Sequence, residues 1–307
     1  MPRDDPPPLG TPAGGSGMDP ISYFQAIVLG LLQGVSELFP ISSLGHSVVL
    51  PRVFGWDIHQ NDDYFLSFLV ATHCATALVL LLFFIKDWVR IVKGLGRSLR
   101  DRYIDPRDTD AKLGWLLVVG TIPAGLLGLL LEHPLRTLFA STQTAAIFLF
   151  VNGLMLFGAE ALRRRAPVRS EAGIRSDEVI ARTLGFREAL GIGTAQALAL
   201  VPGLSRSGAS MGGGLLAGLS NEEAARFAFL LATPIIGAAG VLKLPDLLGS
   251  QGDHVRGQAL VGALCAAVTA FLSVRFLLRF FETNRLTPFA VYCCAVGAVL
   301  SIAFALS

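Results

Sequence analysis

Charged side chains are scarce in this chain. Asp, Glu, Lys and Arg make up 16% of its 307 residues and hydrophobic residues 52%, whereas roughly 25% charged residues is usual in a soluble domain. This composition excludes an ordinary soluble domain and favours an integral membrane protein. The net charge is only +2, and the basic residues fall in two loops, without a stripe of interleaved aromatic residues. Nucleic acid is therefore not an expected partner.

Several common site signatures are also missing. The four cysteines lie in apolar segments without metal-ligand spacing, which is typical of small core residues. Gly191 and Gly193 lack the third glycine and the preceding strand of a dinucleotide site, and residues 203–208 miss the esterase pattern G-x-S-x-G by one position. Neither a dinucleotide site nor an esterase site is predicted.

The first 17 residues contain little that a folded core could bury. They are rich in Pro and Gly, which predicts a disordered tail. They also lack the basic region and apolar run of a cleavable signal peptide. We therefore expect the folded membrane domain to occupy residues 18–307.

Long apolar runs dominate the rest of the sequence. A helix needs about 20 apolar residues to cross hydrocarbon roughly 30 Å thick, and six segments meet this requirement or nearly do. They are 65–85, 113–131, 145–162, 227–244, 258–278 and 286–306. Two further apolar segments, 21–39 and 186–201, run into Pro40 and Pro202 and then into small polar residues, as broken or re-entrant helices do. The predicted class is an all-α integral membrane protein.

The loops differ sharply in positive charge. Segment 86–112 carries eight Lys and Arg residues and segment 163–187 carries seven, whereas 50–64, 132–144 and 245–257 carry one each. Because Lys and Arg accumulate on the cytoplasmic side, we expect the two basic segments to face the cytoplasm, with 163–185 as a basic linker. The other three loops are expected to face outward.

Two stretches of the chain are versions of one another. An offset of 163 residues superposes Ala26 on Ala189, Gly30 on Gly193, Gln33 on Gln196, Ser42 on Ser205, Gly45 on Gly208 and Ser47 on Ser210. Each half, about 21–162 and 186–306, is predicted to be a re-entrant helical hairpin followed by three spans. Because three is odd, the second half would be upside down, and the functional site of such an inverted repeat gathers where the broken segments meet. Chance similarity is the alternative, but the matched span counts argue against it.

Three ionisable residues lie within the two motif segments, where a charge is costly and therefore a candidate for function. They are Glu37, His46 and Arg206. Arg206 has serines on both sides and a glycine close by, which suits a phosphate group. The alternative is that Arg206 serves as a buried partner of Glu37.

Glu37 lies one helical turn after Gln33, so both side chains face the same side. Their oxygens are suited to a hard cation such as Mg²⁺ or Ca²⁺, although a polar pair that links two helices is the alternative. His46 can act as acid, base or nucleophile, and Ser43, three residues earlier, is close enough for the imidazole to activate it. His73, inside a span, is interpreted as structural or supporting.

At these residues the chain resembles the undecaprenyl-diphosphate phosphatase family, the bacitracin-resistance type of integral membrane phosphatase. The resemblance rests on Gln33, Glu37 and residues 40–46 in the first motif and residues 202–209 in the second, and it extends over 18–307. The family's first motif often begins with Glu where this chain has Gln33. Thr is also common in the family at the position of Ser210.

The resemblance implies hydrolysis of undecaprenyl diphosphate to undecaprenyl phosphate and inorganic phosphate, dependent on a divalent cation, in a bacterial plasma membrane. Gln33 and Glu37 would organise the metal, Arg206 would clamp the diphosphate, and His46 with Ser43 would deliver the attack. The implied substrate-binding residues are Ser42, Ser205, Ser207, Gly208 and Ser210. We expect a site that opens outward, with a homodimer as one option for assembly. The alternative function is a polyprenyl-phosphate flippase, since transporters share this architecture.

Overall fold

The fold of the described residues is built from α-helices. A computed structural model describes residues 21–58, 62–131, 141–163, 174–249 and 255–306, and no β-strand occurs in these ranges. The helices are α1 (Tyr23–Ser36), α2 (Ser43–Phe54), α3 (Asp63–Phe83), α4 (Ile85–Asp101), α5 (Thr109–Leu130), α6 (Thr142–Arg163), α7 (Ser176–Thr183), α8 (Phe186–Ala197), α9 (Arg206–Leu216), α10 (Asn221–Leu248), α11 (Arg256–Thr283) and α12 (Thr287–Leu306). The predicted tail, 1–17, lies outside the described residues.

Six of these helices are long and apolar enough to cross a membrane: α3, α5, α6, α10, α11 and α12. The six predicted spans are confirmed. α10 begins six residues before the predicted apolar span, at the capping box that Ser220 and Glu223 form, as the sequence pattern there predicts. The Ser220 hydroxyl accepts from the Glu223 amide at 3.2 Å, and the Glu223 carboxylate accepts from the Ser220 amide at 2.7 Å.

The outer surfaces of the spans are apolar, and several polar side chains lie inside. Leu130 and Ile302 are 76% and 62% exposed, whereas Thr76 and Asn152 are fully buried. This distribution reverses that of a soluble protein and suits contact with lipid, which does not penalise exposed leucine. The buried polar residues therefore mark the interior surfaces where function is to be sought.

The two basic segments contain helices that the sequence interpretation did not predict. Segment 86–112, taken as a loop, is largely α4, and the linker 163–185 includes α7. Arg226 of α10 joins them: its side chain donates to Asp87 of α4 at 2.8 Å and binds Asp177 of α7. Burial raises the pKa of Asp177, but the hydrogen bond and charge of Arg226 outweigh burial and hold that pKa below its ordinary value. These ion pairs hold α4, α7 and α10 together at the point in the chain just before the second motif.

Each motif folds as a helix, a turn and a second helix. α1 leads through residues 37–42 into α2, and α8, extended by the 3₁₀ turn Leu198–Leu200, leads through 201–205 into α9. The second helix of each unit begins with an equivalent cap. Ser42 accepts from the amide three residues on at 3.2 Å, and Ser205 does the same at 3.1 Å.

Two glycine pairs allow helices to approach at backbone distance. A Cβ added to Gly30 of α1 would lie 2.3 Å from the Gly262 carbonyl oxygen of α11. A Cβ added to Gly193 of α8 would lie 2.1 Å from the Gly120 carbonyl oxygen of α5. Each motif's first helix therefore packs on a span in the other half of the chain.

The surroundings of these glycine pairs repeat with the offset found in the sequence. The space beside Gly262 is bounded by Phe68 and the carbonyl of Ala26, and the space beside Gly120 by Leu231 and the carbonyl of Ala189. Phe68 and Leu231 differ by 163 residues, as do Ala26 and Ala189. The packing thus repeats in the two halves, and the opposite orientation of those halves in a bilayer stays a prediction.

Candidate active site

The turns of the two motifs lie against each other. The Ser207 hydroxyl donates to the Phe39 carbonyl oxygen at 3.1 Å, and a Cβ added to Gly45 would lie 2.9 Å from the Cα of Gly203. Gly45 is therefore required by close backbone contact, and Gly203 by its φ of 100°. The two polar segments form one site.

Asn152 of α6 ties the two turns together. Its Nδ2 donates to the Pro40 carbonyl oxygen at 2.9 Å, and its Oδ1 accepts from the Ser205 amide at 3.0 Å. The residue is fully buried, so it satisfies backbone groups that water would not reach. The sequence interpretation missed Asn152 because it considered ionisable residues; an amide in an apolar span was the available signal.

The Glu37 carboxylate lies at the centre of the site and is 6% exposed. Its Oε1 accepts from Arg206 Nη2 at 2.9 Å and Nε at 3.3 Å. Its Oε2 accepts from Gln33 Nε2 at 3.1 Å and Ser43 Oγ at 2.5 Å, and lies 3.4 Å from His73 Nε2. Residues from α1, α2, α3 and α9 therefore meet at one carboxylate. Arg206, whose side chain is 16% exposed, is the ion-pair partner of Glu37.

His73 belongs to this site more directly than the sequence indicated. Its Nδ1 lies 2.7 Å from the Leu69 carbonyl oxygen, and its Nε2 faces Glu37. Both ring nitrogens thus face oxygen acceptors, an arrangement that suits the protonated imidazolium, which donates from both. The His73 imidazole and the Arg206 guanidinium therefore both contact the Glu37 carboxylate.

His46 has partners other than the expected Ser43. Its Nδ1 lies 2.7 Å from the Ser42 carbonyl oxygen, and its Nε2 lies 2.8 Å from the Tyr292 hydroxyl of α12. The expectation that the imidazole activates Ser43 directly does not match this geometry, since the Ser43 hydroxyl donates to Glu37. Glu37 is the group placed to take a proton from Ser43. Tyr292 was not singled out in the sequence, where nothing relates it to position 46.

The other contacts of the motif serines lie within their own motif. Ser42 and Ser205 cap helices, and Ser205 Oγ and Ser207 Oγ lie 3.0 Å apart. Gly208 was expected to contact the substrate. Its backbone amide donates to the Ser205 hydroxyl oxygen at 3.1 Å. Ser210 is fully buried, and its hydroxyl has no partner among the described residues.

Other buried polar atoms at the site also lack a partner within the described ranges. They include Arg206 Nη1 and Gln33 Oε1. A buried donor or acceptor left unpaired is costly, so such atoms are typical of a site completed by ligand or water. Ser42 adds backbone strain, with φ at 70°, and strain of this kind clusters at functional sites.

The side chains present suit a cation only in part. Within the described ranges no cluster of three or more His, Cys, Asp or Glu side chains has metal-binding geometry. Gln33 Oε1 is a buried acceptor without a partner, beside the Glu37 carboxylate. These oxygens fit a Mg²⁺ or Ca²⁺ ion that takes its remaining ligands from phosphate oxygens and water.

Comparison with known proteins shows the family of this chain. An undecaprenyl-diphosphatase of Mycolicibacterium paratuberculosis (strain ATCC BAA-968 / K-10) is 48% identical, over 93% of this chain and 98% of its own. Undecaprenyl-diphosphatase 2 of Frankia alni is 44% identical, over 94% of this chain and all of its own. The family model described as bacitracin resistance protein BacA matches residues 26–299, which include both motifs and all six spans in whole or large part. The chain therefore belongs to the bacitracin resistance protein BacA family.

Proposed function

We propose that this protein hydrolyses undecaprenyl diphosphate to undecaprenyl phosphate and inorganic phosphate, and so recycles the lipid that carries cell-wall precursors. The observation that carries the proposal is the meeting of Glu37, Ser43 and Arg206 in a largely buried site between spans. A long isoprenoid tail can stay in lipid while its diphosphate enters such a site. The names of the relatives support the same substrate.

The reaction breaks the bond between the terminal phosphorus and the bridging oxygen and forms a bond from that phosphorus to the attacking oxygen or nitrogen. The attacking group is Ser43, His46 or a water molecule. If Ser43 attacks, its proton passes to Glu37, which accepts its hydrogen bond. If a residue is phosphorylated, water then releases phosphate from it. The departing polyprenyl phosphate takes the bridging oxygen with its electron pair.

Arg206 supplies positive charge to this reaction. Its Nη2 and Nε bind Glu37, and its Nη1 is a buried donor without a partner in the described part of the chain. A guanidinium can bind two phosphate oxygens at once, and it stabilises charge that develops on a departing phosphate. We expect the diphosphate oxygens to compete with the Glu37 carboxylate for the N–H groups of Arg206.

A divalent cation belongs to the proposal, with Gln33 and Glu37 as its protein ligands. When bound, the ion would neutralise phosphate charge as a Lewis acid. The donor set supports this assignment through the unpaired Gln33 Oε1.

Location and assembly complete the proposal. The six spans support a multi-pass membrane protein, and the bacterial plasma membrane is where a cell-wall lipid carrier is used. The loop charges support a site that opens outward. A homodimer is a sequence expectation that light scattering of the purified protein would test.

Purified protein in detergent, given a long-chain polyprenyl diphosphate, tests the function through phosphate release. We expect release that a chelator abolishes and a loss of at least roughly 10²-fold in His46→Ala and in Arg206→Ala. Arg279→Ala, which removes an exposed arginine, should retain the activity of the unmodified protein.

Undiminished release in either active-site variant would remove that residue from the mechanism. Transfer of lipid across vesicles without any phosphate release would instead favour the flippase. The Ser43–Glu37 contact and the names of the relatives favour hydrolysis.

A further inference from the structure

We propose that Tyr292, on the last span, is a positioning residue for His46 that holds the reactive nitrogen of its imidazole in place. The proposal rests on the proposed function, because it concerns how His46 is prepared for the reaction. Tyr292 lies 246 positions from His46 in the sequence, and neither motif includes it.

The contacts of His46 fix which nitrogen carries the proton. Nδ1 lies 2.7 Å from the Ser42 carbonyl oxygen, and a carbonyl can only accept. In the neutral ring Nδ1 must therefore carry hydrogen, and Nε2 presents its lone pair. The Tyr292 hydroxyl, 2.8 Å from Nε2, then donates to that lone pair.

Two further contacts make this arrangement specific. The rings of His46 and Tyr292 are nearly parallel, with centroids 5.8 Å apart and planes 12° apart, so the hydroxyl approaches Nε2 close to the plane of the imidazole, along its lone pair. Ser42, whose carbonyl holds the other nitrogen, has a strained backbone with φ at 70°. The imidazole is thus held at both nitrogens, from the first motif and from α12.

Two of the reactive roles open to His46, base and nucleophile, use the Nε2 lone pair. A base takes a proton there, and a nucleophile attacks phosphorus from there. The Tyr292 hydroxyl donates to this lone pair and so fixes its direction. When the headgroup binds, the hydroxyl would release the lone pair or turn toward a phosphate oxygen. Tyr292 would affect turnover and have little effect on substrate affinity.

The Tyr292→Phe variant tests this role because it removes the hydroxyl and keeps the ring. We expect kcat for phosphate release to fall roughly 5- to 10-fold, as for the loss of one neutral hydrogen bond, with KM within about twofold of the original. Tyr103→Phe, at a tyrosine 62% exposed, is the matched control and should change neither constant. An unchanged melting temperature would confirm that Tyr292→Phe is folded.

A double-mutant comparison separates action through His46 from independent action. In the His46→Ala background, Tyr292→Phe should cause no further loss. A further loss equal to that in the original background would overturn the proposal, and so would an unchanged kcat in Tyr292→Phe alone.

Nitrogen NMR of ¹⁵N-histidine-labelled full-length protein in detergent tests the contact without reference to activity. The His46 signals, assigned by their disappearance in His46→Gln, should show a protonated Nδ1 and an Nε2 that shifts in Tyr292→Phe, whereas the His73 signals stay fixed. Absence of phosphate release with this NMR pattern intact would remove the proposed function and leave the contact. An Nε2 signal unaffected by the substitution would overturn the contact.

Discussion

Glu37 shows how a residue in a membrane site is defined by its neighbours. A carboxylate with so little exposure is tolerated only when it is paired and fully hydrogen-bonded. Arg206 supplies the charge, and three other side chains donate to its oxygens or face them. The same contacts direct Ser43 toward a proton acceptor, so the groups that make burial possible also arrange the chemistry.

His73 is expected to affect catalysis through Glu37. His73→Leu removes its contact with the carboxylate, so we expect kcat/KM for phosphate release to fall roughly tenfold or more, the usual effect of losing a hydrogen bond to a charged group. His73→Gln retains an N–H donor and should lose less. Equal activity in His73→Leu and the original protein would show that the contact is incidental.

Gln33 is expected to set the affinity for the cation. Gln33→Glu places a second carboxylate beside Glu37, so half-maximal phosphate release should require roughly tenfold less free Mg²⁺, whereas Gln33→Leu removes an oxygen ligand and should require more. Titration of activity with Mg²⁺ measures both shifts. The same Mg²⁺ requirement in all three proteins would exclude Gln33 as a ligand.

At the scale of helices, the site depends on how closely α1 and α8 approach the spans behind them. Both hairpins carry small residues where their first helices meet α11 and α5, as membrane helices do where backbones touch. Close packing fixes the depth of the turns that follow, and those turns carry Glu37 and Arg206. Helix packing therefore determines whether the two side chains meet.

Alanine at the close contacts should separate the helices. Gly30→Ala and Gly193→Ala each put a methyl group against a facing carbonyl oxygen, so we expect a loss of about 1–3 kcal/mol in stability and a lower melting temperature in detergent. Gly158→Ala is the matched control, since nothing lies within 4 Å of its added Cβ. A melting temperature in the two test variants equal to that of the control would show that the helices do not pack as described.

For the whole molecule, the question is how its two halves lie in the bilayer. The loop charges and the repeated packing support halves of opposite orientation. In such an arrangement the two hairpins enter from opposite faces and meet near the middle. That geometry would let a lipid headgroup reach the site without leaving the membrane.

Labelling of introduced cysteines tests this topology. In a variant without native cysteines, a membrane-impermeant maleimide added to intact cells should label Asp57→Cys and Gly249→Cys, which lie at the predicted outer ends of the spans. It should reach Asp105→Cys and Asn284→Cys only after the cells are opened. Labelling of Asn284→Cys in intact cells would exclude the inverted arrangement.

The sequence by itself determined the class of the protein, its spans and its two motifs, because apolar length, loop charge and local repeats are properties of nearby residues. It also identified Glu37, His46 and Arg206, since a charge in an apolar segment is conspicuous wherever it lies. Only the tertiary structure decided that Ser43 pairs with Glu37, that Tyr292 holds His46 and that Asn152 joins the turns. Most of these partners come from helices far apart in the chain, and the angles and depths at which helices pack decide which side chains touch.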